Sequence, residues 1–259
     1  MTGYHARITK SISLLIPAAL FSFVTGCFRP PMTPVYALQD PCAETKAIAE
    51  KATLFSKHMM YRAALAAITR AAIDQKEHAI SFGLASNDSI IHSAISNGTV
   101  NTALVPSITH RFADLHNHPE NRPPSSGDLY HFIDQAMANN ETYQKFIVLP
   151  NGTQYALVLV SAQAARVFNT RFPRTRGIRD TIAQIQYQPT FPKLLIDEIN
   201  QLKGWGGATE EAAMAYILQK YHTGVALLKR DSDGSFKKVY TVEQQKDGTR
   251  AYTACTCLN

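Results

Sequence analysis

Residues 112–137 read FADLHNHPENRPPSSGDLYHFIDQAM, and the pattern changes period partway along. Phe112 to His118 is short and strand-like and runs out at Pro119, whose missing N–H cannot continue a ladder. Beyond Ser125-Ser126-Gly127-Asp128, the residues Leu129, Phe132, Ile133, Ala136 and Met137 fall at i, i+3, i+4, i+7 and i+8, one apolar helical stripe. The stretch therefore predicts a strand, a proline-stiffened loop and a helix in succession.

The flanks continue the mixture. Downstream, Lys145 to Leu149 and Gln154 to Ser161 flank Asn151-Gly152, a strong hairpin signal. Upstream, His78 to Ala85 and Val100 to Ile108 are strand-like, with Asn97-Gly98 as a turn between them. Asp40-Pro41 reads as an N-cap with Pro at the first helical position, and the Ala-rich run to about Gln75 predicts one long or two consecutive helices. Leu194 to Leu202 and Ala208 to Tyr221 look helical, and strands are expected around Asp233-Gly234 and Asp247-Gly248. The fold class is α+β or mixed α/β, with residues 41–259 as a single domain.

Composition sets outer limits. With 259 residues, 45% hydrophobic and 18% charged, the chain can bury a sizeable core, and 13 Gly and 13 Pro without a repeating period exclude collagen-like and solenoid classes. His5, Arg7 and Lys10 precede an uncharged stretch from Ser11 to Val24, which suits a signal peptide over residues 1–26. Without Arg7 and Lys10 the net charge drops from +6 to +4, too mild to argue for a nucleic-acid partner. Val24-Thr25-Gly26-Cys27 resembles the bacterial lipobox, which implies acylation of Cys27. Acyl chains bring about 0.8 kcal/mol per buried methylene, so the expected location is a membrane surface. Phe28 is not the Asp of inner-membrane retention, so the expectation is an outer-membrane lipoprotein, otherwise a periplasmic or secreted protein. Residues 27–40, with Pro30, Pro31 and Pro34, form its tether. In an oxidising compartment Cys42 can staple the start of the domain to Cys255 or Cys257, leaving one thiol over. Arg166, Arg171, Arg174, Arg176 and Arg179 form a basic cluster that reads first as solvated surface.

The chemistry concentrates in the opening stretch. In a strand, residues i and i+2 point to one face, so His116 and His118 present two imidazoles side by side. Asp128, in the first turn of the next helix, supplies a third and anionic ligand. Two nitrogens and one carboxylate oxygen suit zinc and leave a fourth position for water, whose pKa falls from 15.7 toward about 7 on the metal. A carboxylate must then carry the proton, and Glu77, just before the strand His78–Ala85, is the candidate because that strand can lie beside the histidines. Ser125 can donate to the oxyanion formed on a carbonyl under attack. Ser-x-x-Asp also fits a helix cap with Asp128 at the positive end, and His131, three residues on, is an alternative ligand to Asp128.

These residues resemble the JAMM metalloproteases, also called the MPN or JAB domain, including their RadC-like branch. The family pattern is an upstream Glu, then His-x-His-Pro, about six residues, and Ser-x-x-Asp. Glu77, His116-Asn117-His118-Pro119 and Ser125-Ser126-Gly127-Asp128 follow it in order over roughly residues 77–160. The resemblance implies zinc on His116, His118 and Asp128, Glu77 as general base or acid, and Ser125 steadying the intermediate. It also implies a mixed sheet packed between helices with the site at one end. The gap from Pro119 to Ser125 is one residue shorter than in the pattern and is stiffened by Pro123-Pro124, which predicts a shift of Asp128 by a few ångströms.

The expectation is a zinc-dependent peptidase or isopeptidase of the bacterial envelope, with hydroxide attacking the amide carbonyl of a peptide, isopeptide or peptidoglycan-type substrate. The alternative is a catalytically inactive MPN-like scaffold or partner-binding lipoprotein. Asp-Leu-His-Asn-His also resembles the first metal motif of amidohydrolases and PHP phosphoesterases, but no later His-rich strand ends supply the remaining ligands of such a barrel. An HNH-type nuclease needs a ββα frame and phosphate-binding charge that this stretch does not offer.

Overall fold

The computed structural model describes residues 42–138, 142–181, 184–246 and 248–257. The signal peptide, Cys27, the tether and the Asp40-Pro41 cap lie outside these residues. After a 3-10 turn at Ala43–Thr45, the Ala-rich run forms two helices, α1 (Lys46–Lys57) and α2 (Met59–Ala71). His58 separates them: its backbone is extended, and its Nδ1 accepts the Met60 N–H at 3.2 Å, capping the second helix.

The order then runs β1 (His78–Leu84), β2 (Ile90–His92), β3 (Ser96–Asn97), β4 (Ala113–Asn117), α3 (Ser126–Ala138), β5 (Gln144–Val148), β6 (Gln154–Leu159) and α4 (Ala162–Arg171). There follow β7 (Thr175–Thr181), β8 (Gln184–Thr190), α5 (Lys193–Gly204), α6 (Glu210–Lys220), β9 (Val225–Arg230), β10 (Phe236–Lys246) and β11 (Thr249–Thr256). Nine strands form one mixed sheet in the order β11-β10-β9-β6-β5-β4-β1-β2, with β3 also on β1, while β7 and β8 make a separate hairpin. The fold is α+β. Only β4 and β5 pair in parallel among the described strands, and α3 is the crossover that a parallel pair requires. The chain therefore leaves the C-terminal end of β4, makes a short loop and returns as a helix across the same sheet face.

Side-chain alternation divides the sheet into two apolar faces. Ile80, Phe82, Leu115, Phe146, Val148, Ala156 and Val158 meet Ala52, Tyr61, Ala64 and Ile68 of α1 and α2. Ile147, Leu149, Tyr155, Leu157 and Leu227 point the other way, against Leu129, Phe132 and Ile133 of α3, Phe168 of α4, Leu195 of α5 and Ile217 of α6. Burying such side chains on both faces removes apolar surface from water at about 25 cal/mol per Å². The contacts group Gln39–Asn259 into one compact unit. No described helix is long and apolar enough to cross a membrane.

Several sequence expectations change. Val100 to Ile108 is not a strand. β2 and β3 occupy one edge of β1 and β4 the other, so neither edge of β1 is left to pair with it, and Pro106 lacks a donor. Ile90–His92 pairs there instead. α4 was not expected because its stripe is thin: of its ten residues only Ala165 and Phe168 are buried, and the Ser161 cap onto Ala164 N–H is its clearest signal. The hairpin β7–β8 was also not anticipated. The Asn151-Gly152 turn joins β5 to β6 as expected, with Gly152 at φ +84°. In the arginine cluster, Arg174 is paired with Asp134 and Arg171 lies over the Phe172 ring; the side chains of Arg176 and Arg179 lie outside the described residues.

Cys42 pairs with Cys257, their Cα atoms 5.7 Å apart, and Cys255 is the free thiol among the described residues. The two cysteines are 215 residues apart in sequence. Closing a loop of that length removes about 5 kcal/mol of unfolded-chain entropy in the simplest treatment.

Candidate metal centre

The site grows from the alternation of β4. Leu115 packs toward α1 and α2, so Asp114 and His116 face α3, and His118 continues the row just past the strand end. Each residue in this row is buried. From the other side comes the start of α3. Ser125 Oγ accepts the Asp128 N–H at 3.2 Å, while Asp128 Oδ2 accepts both the Ser125 N–H and its hydroxyl at 2.8 Å. This reciprocal cap fixes the Asp128 carboxylate over the imidazoles. Ser-x-x-Asp is thus a helix cap and part of the site at once.

The three side chains converge. His116 Nε2 stands 3.0 Å from Asp128 Oδ1, His118 Nε2 stands 3.2 Å from Asp128 Oδ2, and the two Nε2 atoms are 3.3 Å apart. Ligands about 2.05 Å from a tetrahedral ion stand ~3.3 Å from one another. The side chains thus form a triangle on the scale of a coordination shell, its two imidazole–carboxylate sides ending on different oxygens of Asp128, and this group can hold a metal ion. With five residues between Pro119 and Ser125, Asp128 stands within reach of both imidazoles, and the Arg122 carbonyl of that loop accepts from His118 Nδ1 at 2.9 Å. His131 does not take the place of Asp128. It lines the same cleft one helical turn on, outside the three-atom group.

Glu77 reaches the site as the sequence suggested, through antiparallel pairing of β1 with β4 in which Ala79 faces His116. That register carries Glu77 toward His118. Its position is set on three sides. Asn117 donates to the Lys76 carbonyl at 2.8 Å and accepts the His78 N–H at 2.7 Å, gripping the peptide units on either side. The Glu77 N–H donates to the Thr99 carbonyl, and its own carbonyl accepts from Gly98. Gly98 is required here: a Cβ at that position would stand 2.1 Å from Thr102 O and 2.7 Å from Glu77 O. Asn117 and Gly98 hold the backbone around Glu77, a part that spacing alone did not flag because both act through backbone brought close by the fold.

The charges follow from burial. Burial raises the Glu77 carboxyl above its usual range, against the pull of His116 and His118. Burial and Lys145 both oppose charge on His116, yet Asp128 and Asp114 outweigh them and lift it to about 9. Asp128, despite burial, is held well below the ordinary carboxylate range by the two imidazoles. His131 is pushed down to about 4 by burial and then by Lys145.

A cleft of about 810 Å³ opens over the group. Glu77 and the irregular segment from Val100 to Val105 form one wall, Pro119 to Ser125 the rim, and Ile199 and Lys203 of α5 with Met214 of α6 the far side. No protein-family model matches the chain, and no curated protein matches it.

Proposed function

We propose that this protein is a zinc-dependent peptidase or isopeptidase of JAMM/MPN type. The observation that supports the reading is the convergence of His116 Nε2 on Asp128 Oδ1 at 3.0 Å and of His118 Nε2 on Asp128 Oδ2 at 3.2 Å, the two nitrogens 3.3 Å apart, beneath a cleft that also contains the half-buried Glu77 carboxyl. Zinc held there would supply an acidified water in the neutral range and a Lewis acid for the scissile carbonyl. Glu77 takes a proton from the water and returns it to the leaving amine, work that suits a carboxyl raised by burial. Ser125 orients Asp128, and in a substrate complex its hydroxyl is the donor for the oxyanion. Val100, Val105, Ile199 and Met214 provide apolar contacts for a peptide, isopeptide or peptidoglycan-type substrate. The Cys42–Cys257 disulfide supports an oxidising compartment, in line with an exported protein held at the envelope through Cys27.

The test combines metal analysis with turnover. Purified protein is expected to carry one zinc, and Glu77→Gln is expected to lose roughly 10²–10⁴-fold in peptidase turnover while keeping that zinc. Full turnover in Glu77→Gln, or no bound zinc in the wild type, sinks the proposal.

A second reading is favoured by one observation: the Ser125 hydroxyl already donates to Asp128 Oδ2 at 2.8 Å. On that reading the domain is an MPN-like scaffold for an envelope partner. A His116→Ala, His118→Ala double variant separates the two, because a scaffold keeps its biological function in that background and an enzyme does not.

A further inference from the structure

His116 and His118 differ in what supports the ring nitrogen turned away from the triangle. His118 Nδ1 has the Arg122 carbonyl at 2.9 Å. His116 Nδ1 is buried and has no hydrogen-bond partner among the described residues. Its nearest carboxylate oxygen is Asp114 Oδ1 at 3.8 Å, two residues back on the same face of β4. Asp114 is fully buried, and both its oxygens are occupied by groups from the neighbouring strand region: Oδ1 accepts from Lys145 Nζ at 3.1 Å and Oδ2 from the Tyr143 hydroxyl. Asp114 and Lys145 are direct partners in the β4–β5 register.

Stability alone does not explain these charges. A buried ion pair loses hydration that its mutual attraction repays only with difficulty, and the surrounding face is otherwise apolar. An imidazole that gives its Nε2 lone pair to a cation must carry its proton on Nδ1, and metal-bound histidines direct that N–H to a carboxylate, a carbonyl or water. For His116 the nearest carboxylate among the described residues, Asp114, offers the second lone pair of its Oδ1. Closing 3.8 Å to a hydrogen bond takes a movement of about 1 Å.

Resting on the metal-centre reading above, we infer that Asp114 is the positioning carboxylate of His116: it fixes the proton on Nδ1 and turns Nε2 toward the cation, while Lys145 and Tyr143 hold Asp114 in place. The two imidazoles are then supported differently, one by a backbone carbonyl and the other by an anchored charge. The sequence motif contains neither Lys145 nor Tyr143.

The experiment uses the full-length protein and zinc as the probe. Zinc affinity is measured by chelator competition in the wild type and in Asp114→Asn with Lys145→Met, which removes both buried charges together and avoids an orphaned lysine. The expected result is a loss of about 10- to 100-fold in affinity with retained metal-free melting behaviour. As a reading that needs no variant, histidine-labelled wild-type protein loaded with zinc is examined by nitrogen NMR. His116 is expected to be metal-bound at Nε2 with a slowly exchanging, hydrogen-bonded Nδ1 proton. Unchanged affinity in the double variant, or a His116 Nδ1 that bears no proton or exchanges freely, overturns the assignment to Asp114 alone. A wild type that takes up no zinc overturns the metal-centre reading and this inference with it.

Discussion

The two faces of β4 are one residue apart in sequence and opposite in chemistry. Ala113 and Leu115 sit against α1 and α2, where Phe55, Tyr61, Phe82 and Phe146 pack ring against ring. Asp114 and His116 face α3, where the titratable groups His118, Asp128, His131 and Lys145 gather within an otherwise apolar layer. The first face is made of groups that gain by leaving water. The second is made of groups that lose hydration and recover it only through one another. Such an expense is typical of sites that do chemistry, so the contrast separates the part of the strand that holds the fold from the part available for function.

The sharpest way to break this contrast is Phe146→Ala, which opens a cavity on the α1–α2 face only. Denaturant unfolding is expected to show a loss of about 3–5 kcal/mol, with zinc affinity of the still-folded protein unchanged. A parallel loss of zinc affinity would mean that the faces are not independent.

The next effect is one of pH. His116 is lifted to about 9 in the metal-free protein. A raised histidine pKa contributes stability that is complete below its unfolded value of about 6.5 and is lost as pH rises through the folded value of about 9. A cation must displace that proton, so zinc affinity is expected to gain up to roughly tenfold per pH unit between about 6.5 and 9. Calorimetry in buffers of different ionisation enthalpy should detect the released proton; its absence would show that His116 is already neutral.

Asn117→Ala probes the support of Glu77. It removes the partners of the Lys76 carbonyl and the His78 N–H, with an expected cost of about 1–3 kcal/mol. Turnover should fall while zinc affinity holds, since no ligand to the cation is touched. The smallest change is expected from Ser125→Ala, about 1 kcal/mol of helix capping, with a modest loss of zinc affinity as Asp128 loses one of its anchors. A zinc affinity that stays at the wild-type value would assign the orientation of Asp128 to its backbone contact alone.

Much of this was legible in advance because it depends on local periods. The two-residue period of β4, the helical stripe of α3, the Asn151-Gly152 turn and the Ser125–Asp128 cap are decided within a few neighbouring positions. Val100 to Ile108 failed for a reason no local pattern contains: a strand needs an open edge, and β1 had none. The thin stripe of α4 failed in the opposite sense, a helix whose burial comes from what packs on it.

By itself, then, the sequence determined that two imidazoles share a face and that a capped helix carrying a carboxylate follows them, since alternation and capping are properties of a few adjacent residues. Only the tertiary structure decided that Asp128 lands within 3.0 and 3.2 Å of those rings, that Cys257 rather than Cys255 reaches Cys42, and that Lys145 lies beside Asp114 across the β4–β5 register. These are meetings of residues far apart in the chain. They are fixed by strand order and by the parallel crossover through α3, which bring together side chains whose spacing in sequence carries no record of the encounter.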